Sequence, residues 1–187
     1  MDKIKALLLL AVWICLAPLS SVYAAVWSTE SQWDESWENR YRQWVVQNWK
    51  DDIFMNPAKP IYYKFENDCA DATYMMRLIF SFEHRLPFAV NNQQSPGKVI
   101  SNEMSTWDNL PEPQRVRRFM DYVADMTSTK SLRQVTYPVA LNDIKAGDVY
   151  VAPGVHSYQI VEVTETGIAE VMASTTPKTS RFLLRTP

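Results

Sequence analysis

Cys69 is one of two cysteines in this 187-residue chain, and what it can do depends on how readily it ionises. The thiolate is the nucleophile, so a reactive cysteine needs surroundings that bring its pKa down from about 8.5. Cys69 stands where a helix should begin. Asn67 and Asp68 precede it as N-cap candidates, and Asp71 places acid in the first turn. Ala70 to Phe82 follows as an apolar run with Tyr74, Met75, Met76, Leu78, Ile79 and Phe80. Free N–H groups and the macrodipole at such a start favour negative charge, and the same N–H groups would hold the oxyanion of an acyl transfer. A base is the second requirement, and the chain has two histidines. His84 lies near the end of the same helix, over about 20 Å away at 1.5 Å per residue, and reads as a surface residue. His156 begins a predicted strand just after Pro153-Gly154, where a side chain can face a cleft. By elimination it is the partner for Cys69. A buried inert thiol and a hydrogen-bonded strand-end histidine account for the same two residues, and chemistry alone divides evenly between the readings.

The N-terminus bears on that choice. Lys3 and Lys5 precede an apolar run from Leu7 to Ala17 of about eleven residues, and Val22-Tyr23-Ala24 supplies a small-residue cleavage site. The run is shorter than the roughly 20 residues that span a bilayer. Pro18 and the Val-x-Ala site argue against an uncleaved anchor, and Ile14 before Cys15 is not the small residue that lipoprotein processing requires. Residues 1–24 are therefore expected to be a signal peptide cut after Ala24, with residues 25–187 forming a single domain, periplasmic or secreted, with no stable membrane span. Cleavage leaves Cys69 as the sole thiol, so an intramolecular disulfide is excluded. In an oxidising compartment such a thiol is either buried as a small hydrophobe or used. The mature charge is mildly acidic, about −3, with no basic stripe for nucleic acid. One thiol and two histidines make a poor zinc set, and neither a metal nor another cofactor is expected.

The elements that must position these residues follow from periodicity. Over 29–50, Trp33, Trp37, Tyr41, Trp44, Val45 and Trp49 recur at three- and four-residue steps, which predicts an amphipathic helix. Its tryptophan stripe would pack on the core rather than stack on sugar rings. Leu86-Pro87 is expected to end the Cys69 helix. Residues 91–113 read as a long polar surface excursion, and Gln114 to Met126 as a third helix whose Arg115, Arg117 and Arg118 form a solvated face. Asp148 to Ala152, Ser157 to Val163, Gly167 to Ala173 and Arg181 to Leu184 read as antiparallel strands. Helices first and strands later predict an α+β fold.

Taken in order, several segments resemble the NlpC-like cysteine peptidases. Tyr62-Tyr63, then Asn67-Asp68-Cys69-Ala70-Asp71, then a buried helix running into Leu86-Pro87, is similar to the nucleophile region of that family. Ile144 to Val151 looks like its Gly-Asp strand, His156-Ser157-Tyr158-Gln159-Ile160 like its His-Val-Gly-Ile segment, and Val171-Met172-Ala173-Ser174 like the strand that follows. The resemblance covers roughly residues 60–90 and 142–176. It implies a papain-like fold, with the Cys-bearing helix central and buried against a C-terminal antiparallel sheet; residues at about 91–130 are read as a region inserted into that fold. It also implies a thiol hydrolase that cleaves amide bonds in peptidoglycan stem peptides. By position Cys69 matches the nucleophile, His156 the base, and Tyr62 or Tyr63, with Tyr63 preferred, the tyrosine near the oxyanion.

Three departures stand out. Asp-Cys-Ala-Asp replaces Asp-Cys-Ser-Gly and sets Asp71 near the thiol, where its charge opposes ionisation. His156 follows Cys69 by about 87 residues, long enough to hold the insertion. The polar residue that orients the histidine falls near Met172, which cannot serve, and Glu170, two residues earlier on the same strand face, is the expected substitute. A catalytically inactive papain-like envelope domain that binds peptidoglycan or a protein partner is the alternative, and a transglutaminase-like cysteine protease a third; the aspartate usual after the histidine strand of the latter is missing as well.

Overall fold

The four-stranded sheet is built from the C-terminal third, as the change in sequence period predicts, but a two-stranded hairpin interrupts the helical part of the chain. The computed structural model describes residues 25–187; the expected signal peptide over residues 1–24, with Cys15, lies outside the described residues. The elements are α1 (Glu35–Asn48), α2 (Cys69–Glu83), a hairpin of β1 (Ala89–Asn91) and β2 (Val99–Ser101), α3 (Glu112–Met126), the short α4 (Thr129–Leu132), and a four-stranded antiparallel sheet. That sheet runs in the order β3 (Val149–Ala152), β4 (His156–Val163), β5 (Ala169–Ala173), β6 (Leu184–Thr186). The α+β class follows. Among the described residues no helix is long and apolar enough to cross a membrane.

α2 is the axis of the core. Every residue from Cys69 to Ser81 except Arg77 is buried. At its far end Phe80 is the hub of the aromatic stripe, its ring centroid lying between 4.3 and 6.3 Å from those of Trp33, Trp37, Tyr41, Trp44 and His84. Tyr41, Trp44 and Trp49 are buried and Trp33 and Trp37 half-buried. The stripe is a packing face. Arg77, the one position between Cys69 and Ser81 that leaves the core, stacks its guanidinium 3.4 Å from the centre of Trp33 and pairs with Glu38.

Boundaries depart from the sequence reading for local reasons. α1 begins at Glu35, not 29, because the N–H groups of Glu30 and Ser31 donate to the Arg85 carbonyl at 2.8 and 3.3 Å, which keeps that segment extended until Asp34 caps the helix. α2 ends at Glu83, ahead of Leu86-Pro87. Arg85 adopts a left-handed φ of 54°, and the Leu86 N–H returns to the Ser81 carbonyl at 2.8 Å.

The polar stretch 91–113 is not a surface excursion throughout. It contributes β2, whose Ile100 joins Val90 in the core. Its polarity reflects two buried asparagines that replace backbone pairing. Asn102 accepts from the Phe88 N–H and donates to the Trp27 carbonyl, and Asn92 accepts from the N–H groups of Gln94 and Ser95. Two of the three arginines on α3 also differ from expectation. Arg117 donates to the carbonyls of Ile61, Tyr63 and Lys64, and Arg115 to those of Val26 and Leu110. They are backbone clamps, and only Arg118 is exposed.

The tryptophan stripe is expected to carry stability. Phe80→Ala or Trp44→Ala should lower unfolding free energy by about 3–5 kcal/mol, read from urea midpoints. An unchanged midpoint would contradict the packing role.

Candidate active site

Asp68 sets the start of α2. Its carboxylate accepts from the N–H groups of Ala70 and Asp71 at 2.9 and 3.1 Å, and Asp71 returns the favour by accepting from the Asp68 N–H at 3.0 Å. This is a reciprocal capping box, and it leaves Cys69 as the first helical residue. It also changes the chemistry expected there. Two of the helix-end donors assigned to an oxyanion are occupied by a carboxylate.

β4 supplies what the helix end does not. Ser157 and Gln159 point from β4 into α2. The Ser157 hydroxyl lies 2.9 Å from the Cys69 carbonyl and 3.0 Å from Thr73 Oγ1. Thr73 Oγ1 is in turn 2.9 Å from the same carbonyl and accepts from Gln159 Nε2 at 2.8 Å. Burial, together with the negative charge of Asp68, pushes the Cys69 thiol above its ordinary pKa, while the backbone N–H groups of Ser157, Ala70 and Cys69 itself pull it down. The upward influences win, so the resting sulfur is a buried neutral thiol.

His156 directly precedes Ser157. Strand alternation turns its ring away from the Ser157 and Gln159 face. It packs edge-on to Tyr158, with centroids 4.5 Å apart, and Tyr150 on β3 extends this row of rings. The thiol and the imidazole thus neighbour one residue, Ser157, but among the described residues no hydrogen bond joins them.

The expected third residue needs correction. The β4/β5 register sets Glu170 opposite Glu162, six residues along β4 from His156 or about 20 Å at 3.3 Å per residue. Its carboxylate accepts from Arg185 Nε at 2.8 Å. Glu170 is half of a cross-strand ion pair and cannot orient His156. Met172, two residues on, is buried opposite Gln159. Of the two tyrosines, Tyr62 does not meet the expectation: its hydroxyl donates to Glu83, at the opposite end of α2 from Cys69. The Tyr63 carbonyl is held by Arg117 and its ring lies under the Lys64 ammonium. His84 caps the C-terminal end of α2 and stacks on Phe80.

Asp71 was expected to oppose thiolate formation, yet the charge that acts on the thiol is that of Asp68. Asp71 is buried, 3.7 Å from Lys178, which also binds Asp125 at 2.9 Å. Ser157, Thr73 and Gln159 were missed as a group. Their signal was present, because polar residues at alternate positions of an otherwise aromatic and aliphatic strand point to a polar inner face. Among the described residues no cluster of three or more His, Cys, Asp or Glu could hold a metal ion.

Burial and the Asp68 charge push the Asp71 carboxyl up to about 7, against the pull of Lys178. A folded pKa above the unfolded one favours the protonated folded state, so this contribution is full below the unfolded value and is lost as pH rises through about 7. Asp71→Asn has no such proton to lose. Chemical denaturation at pH 5 and pH 8 should therefore find the variant gaining on the wild type at the higher pH; a constant difference would show that Asp71 ionises freely in the fold.

Comparison with known proteins yields no match: no family model, curated protein or solved structure matches this chain.

Proposed function

We propose that this chain is an exported thiol hydrolase of papain-like fold that cleaves amide bonds in peptidoglycan stem peptides, with Cys69 as nucleophile and His156 as base. The observation that carries the reading is the docking of the α2 start onto the β4 start. The Ser157 hydroxyl meets the Cys69 carbonyl at 2.9 Å, and the next residue back is the chain's one histidine outside α2 and its cap. The segment order shared with NlpC-like peptidases adds the substrate class.

In this reading the first residue of β4 shifts its backbone when substrate enters, so that the imidazole leaves Tyr158 and reaches the thiol around the strand end; such sites tighten on binding. It takes the thiol proton as sulfur attacks the carbonyl carbon, and the Ser157 N–H faces the charge that develops. Collapse of the tetrahedral intermediate expels the amine, which takes the proton back from the imidazolium. Water, deprotonated by His156, then hydrolyses the thioester and restores the thiol. Gln159, through Thr73, is the polar group that steadies the thiol's helix end; nothing in this reading requires Glu170.

The second reading, an inactive domain that binds peptidoglycan or an envelope protein, is favoured by one observation: the imidazole rests on Tyr158, with no hydrogen bond to the thiol among the described residues.

Incubating the purified protein with peptidoglycan and identifying released fragments by mass spectrometry separates them. Cys69→Ser and His156→Ala should each lower release at least about 100-fold, with Glu170→Gln within about twofold of the wild type. Binding without release by the wild type would establish the inactive domain. Release of crosslinked protein products instead of wall fragments would point to transglutaminase-like processing.

A further inference from the structure

Two hydroxyls and one amide with no part in the bond-breaking steps form a buried chain at one peptide carbonyl. Thr73, Ser157 and Gln159 are all buried; the two hydroxyls meet the carbonyl of the nucleophile's own residue, and the Gln159 amide donates to Thr73. We propose that Ser157 is the positioning residue of the thiol: its hydroxyl, with that of Thr73, ties the Cys69 carbonyl to β4 and so fixes the residue that carries the sulfur. This rests on the thiol-hydrolase reading for its purpose, though not for its geometry.

Counting protons shows why Ser157 cannot be incidental. Each hydroxyl has one proton to give. If both pointed at the Cys69 carbonyl, two hydroxyl oxygens 3.0 Å apart would face each other with no proton between them. Two arrangements remain. Ser157 donates to Thr73 and Thr73 to the carbonyl, or Thr73 donates to Ser157 and Ser157 to the carbonyl. In both, the Gln159 amide donates to Thr73 and Ser157 links β4 to the Cys69 carbonyl, through Thr73 in the first and directly in the second. The carbonyl and the sulfur belong to one residue, so fixing the first limits the travel of the second. A hydroxyl placed only for packing would need neither the Cys69 carbonyl nor the Thr73 hydroxyl as a partner.

The thiol's ionisation reports on this directly. The rate of Cys69 alkylation by iodoacetamide, followed against pH on the full chain carrying Cys15→Ser, gives the thiol midpoint without reference to any substrate. Ser157→Ala should raise that midpoint by about one unit, a tenfold loss of rate near neutral pH, while Ser157→Thr, which keeps the hydroxyl, should stay within about twofold of the wild-type rate. A wild-type profile for Ser157→Ala, or an equal shift for Ser157→Thr, would overturn the proposal. Should Ser157→Ala fail to fold, Thr73→Val removes the other hydroxyl at the same carbonyl; it is expected to raise the midpoint as well, and an unmoved midpoint there would overturn the proposal too. The two readings fail separately. A shifted profile in a protein that releases nothing from peptidoglycan keeps the clamp and removes the hydrolase; active protein with an unshifted profile does the reverse.

Discussion

The contact between the Cys69 carbonyl and the hydroxyls of Thr73 and Ser157 fixes how α2 meets the sheet. An apolar helix on an apolar sheet has many nearly equal ways to lie. Buried polar groups remove that freedom, because each one left unpaired costs about 1–3 kcal/mol. One polar seam thus selects one register, and with it the neighbours of the thiol. The seam is also incomplete. The Gln159 carbonyl oxygen is buried with no hydrogen-bond partner among the described residues, which makes this amide the natural place for the seam to adapt.

The two ends of α2 are held by different physics. At the far end, rings packed around Phe80 tie it to α1, and contacts there are numerous and individually weak. Near Cys69 the ties are few, directional and buried. Small sequence changes at the aromatic end can be absorbed by repacking. At the seam a single lost hydroxyl changes what the neighbouring carbonyl and N–H can bond to, so chemistry and register are vulnerable together.

How much of this was legible in the sequence depends on range. Local signals were enough for α2: Asp68 and Asp71 flank Cys69 at capping-box spacing, and the apolar run that follows can only be buried. The strands β3 to β5 were legible from β-branched and aromatic runs. The hairpin was not, because Asn92 and Asn102 look like loop residues until their partners, Phe88 and Trp27 among them, are known. Glu170 shows the limit of counting along one strand. Alternation placed it on the face of Met172, but only the pairing with β4 reveals how far down the sheet it lies and that Arg185 already occupies it. Arg117 likewise reads as a solvated charge until the carbonyls of Ile61, Tyr63 and Lys64 are seen to turn toward it.

The distance along the chain between Cys69 and its partners has a kinetic consequence. Ser157 follows Cys69 by 88 positions, and Ser174, which bonds the Asn67 carbonyl just ahead of the cap, follows Asn67 by 107. α2 forms from local interactions, whereas the contacts that enclose its first turn must wait for closure of a long loop, an entropic barrier that slows folding. For that interval the helix is formed while its cysteine is still open to solvent. Oxidants would therefore meet this thiol most readily in the nascent chain, before the last strands have arrived to cover it.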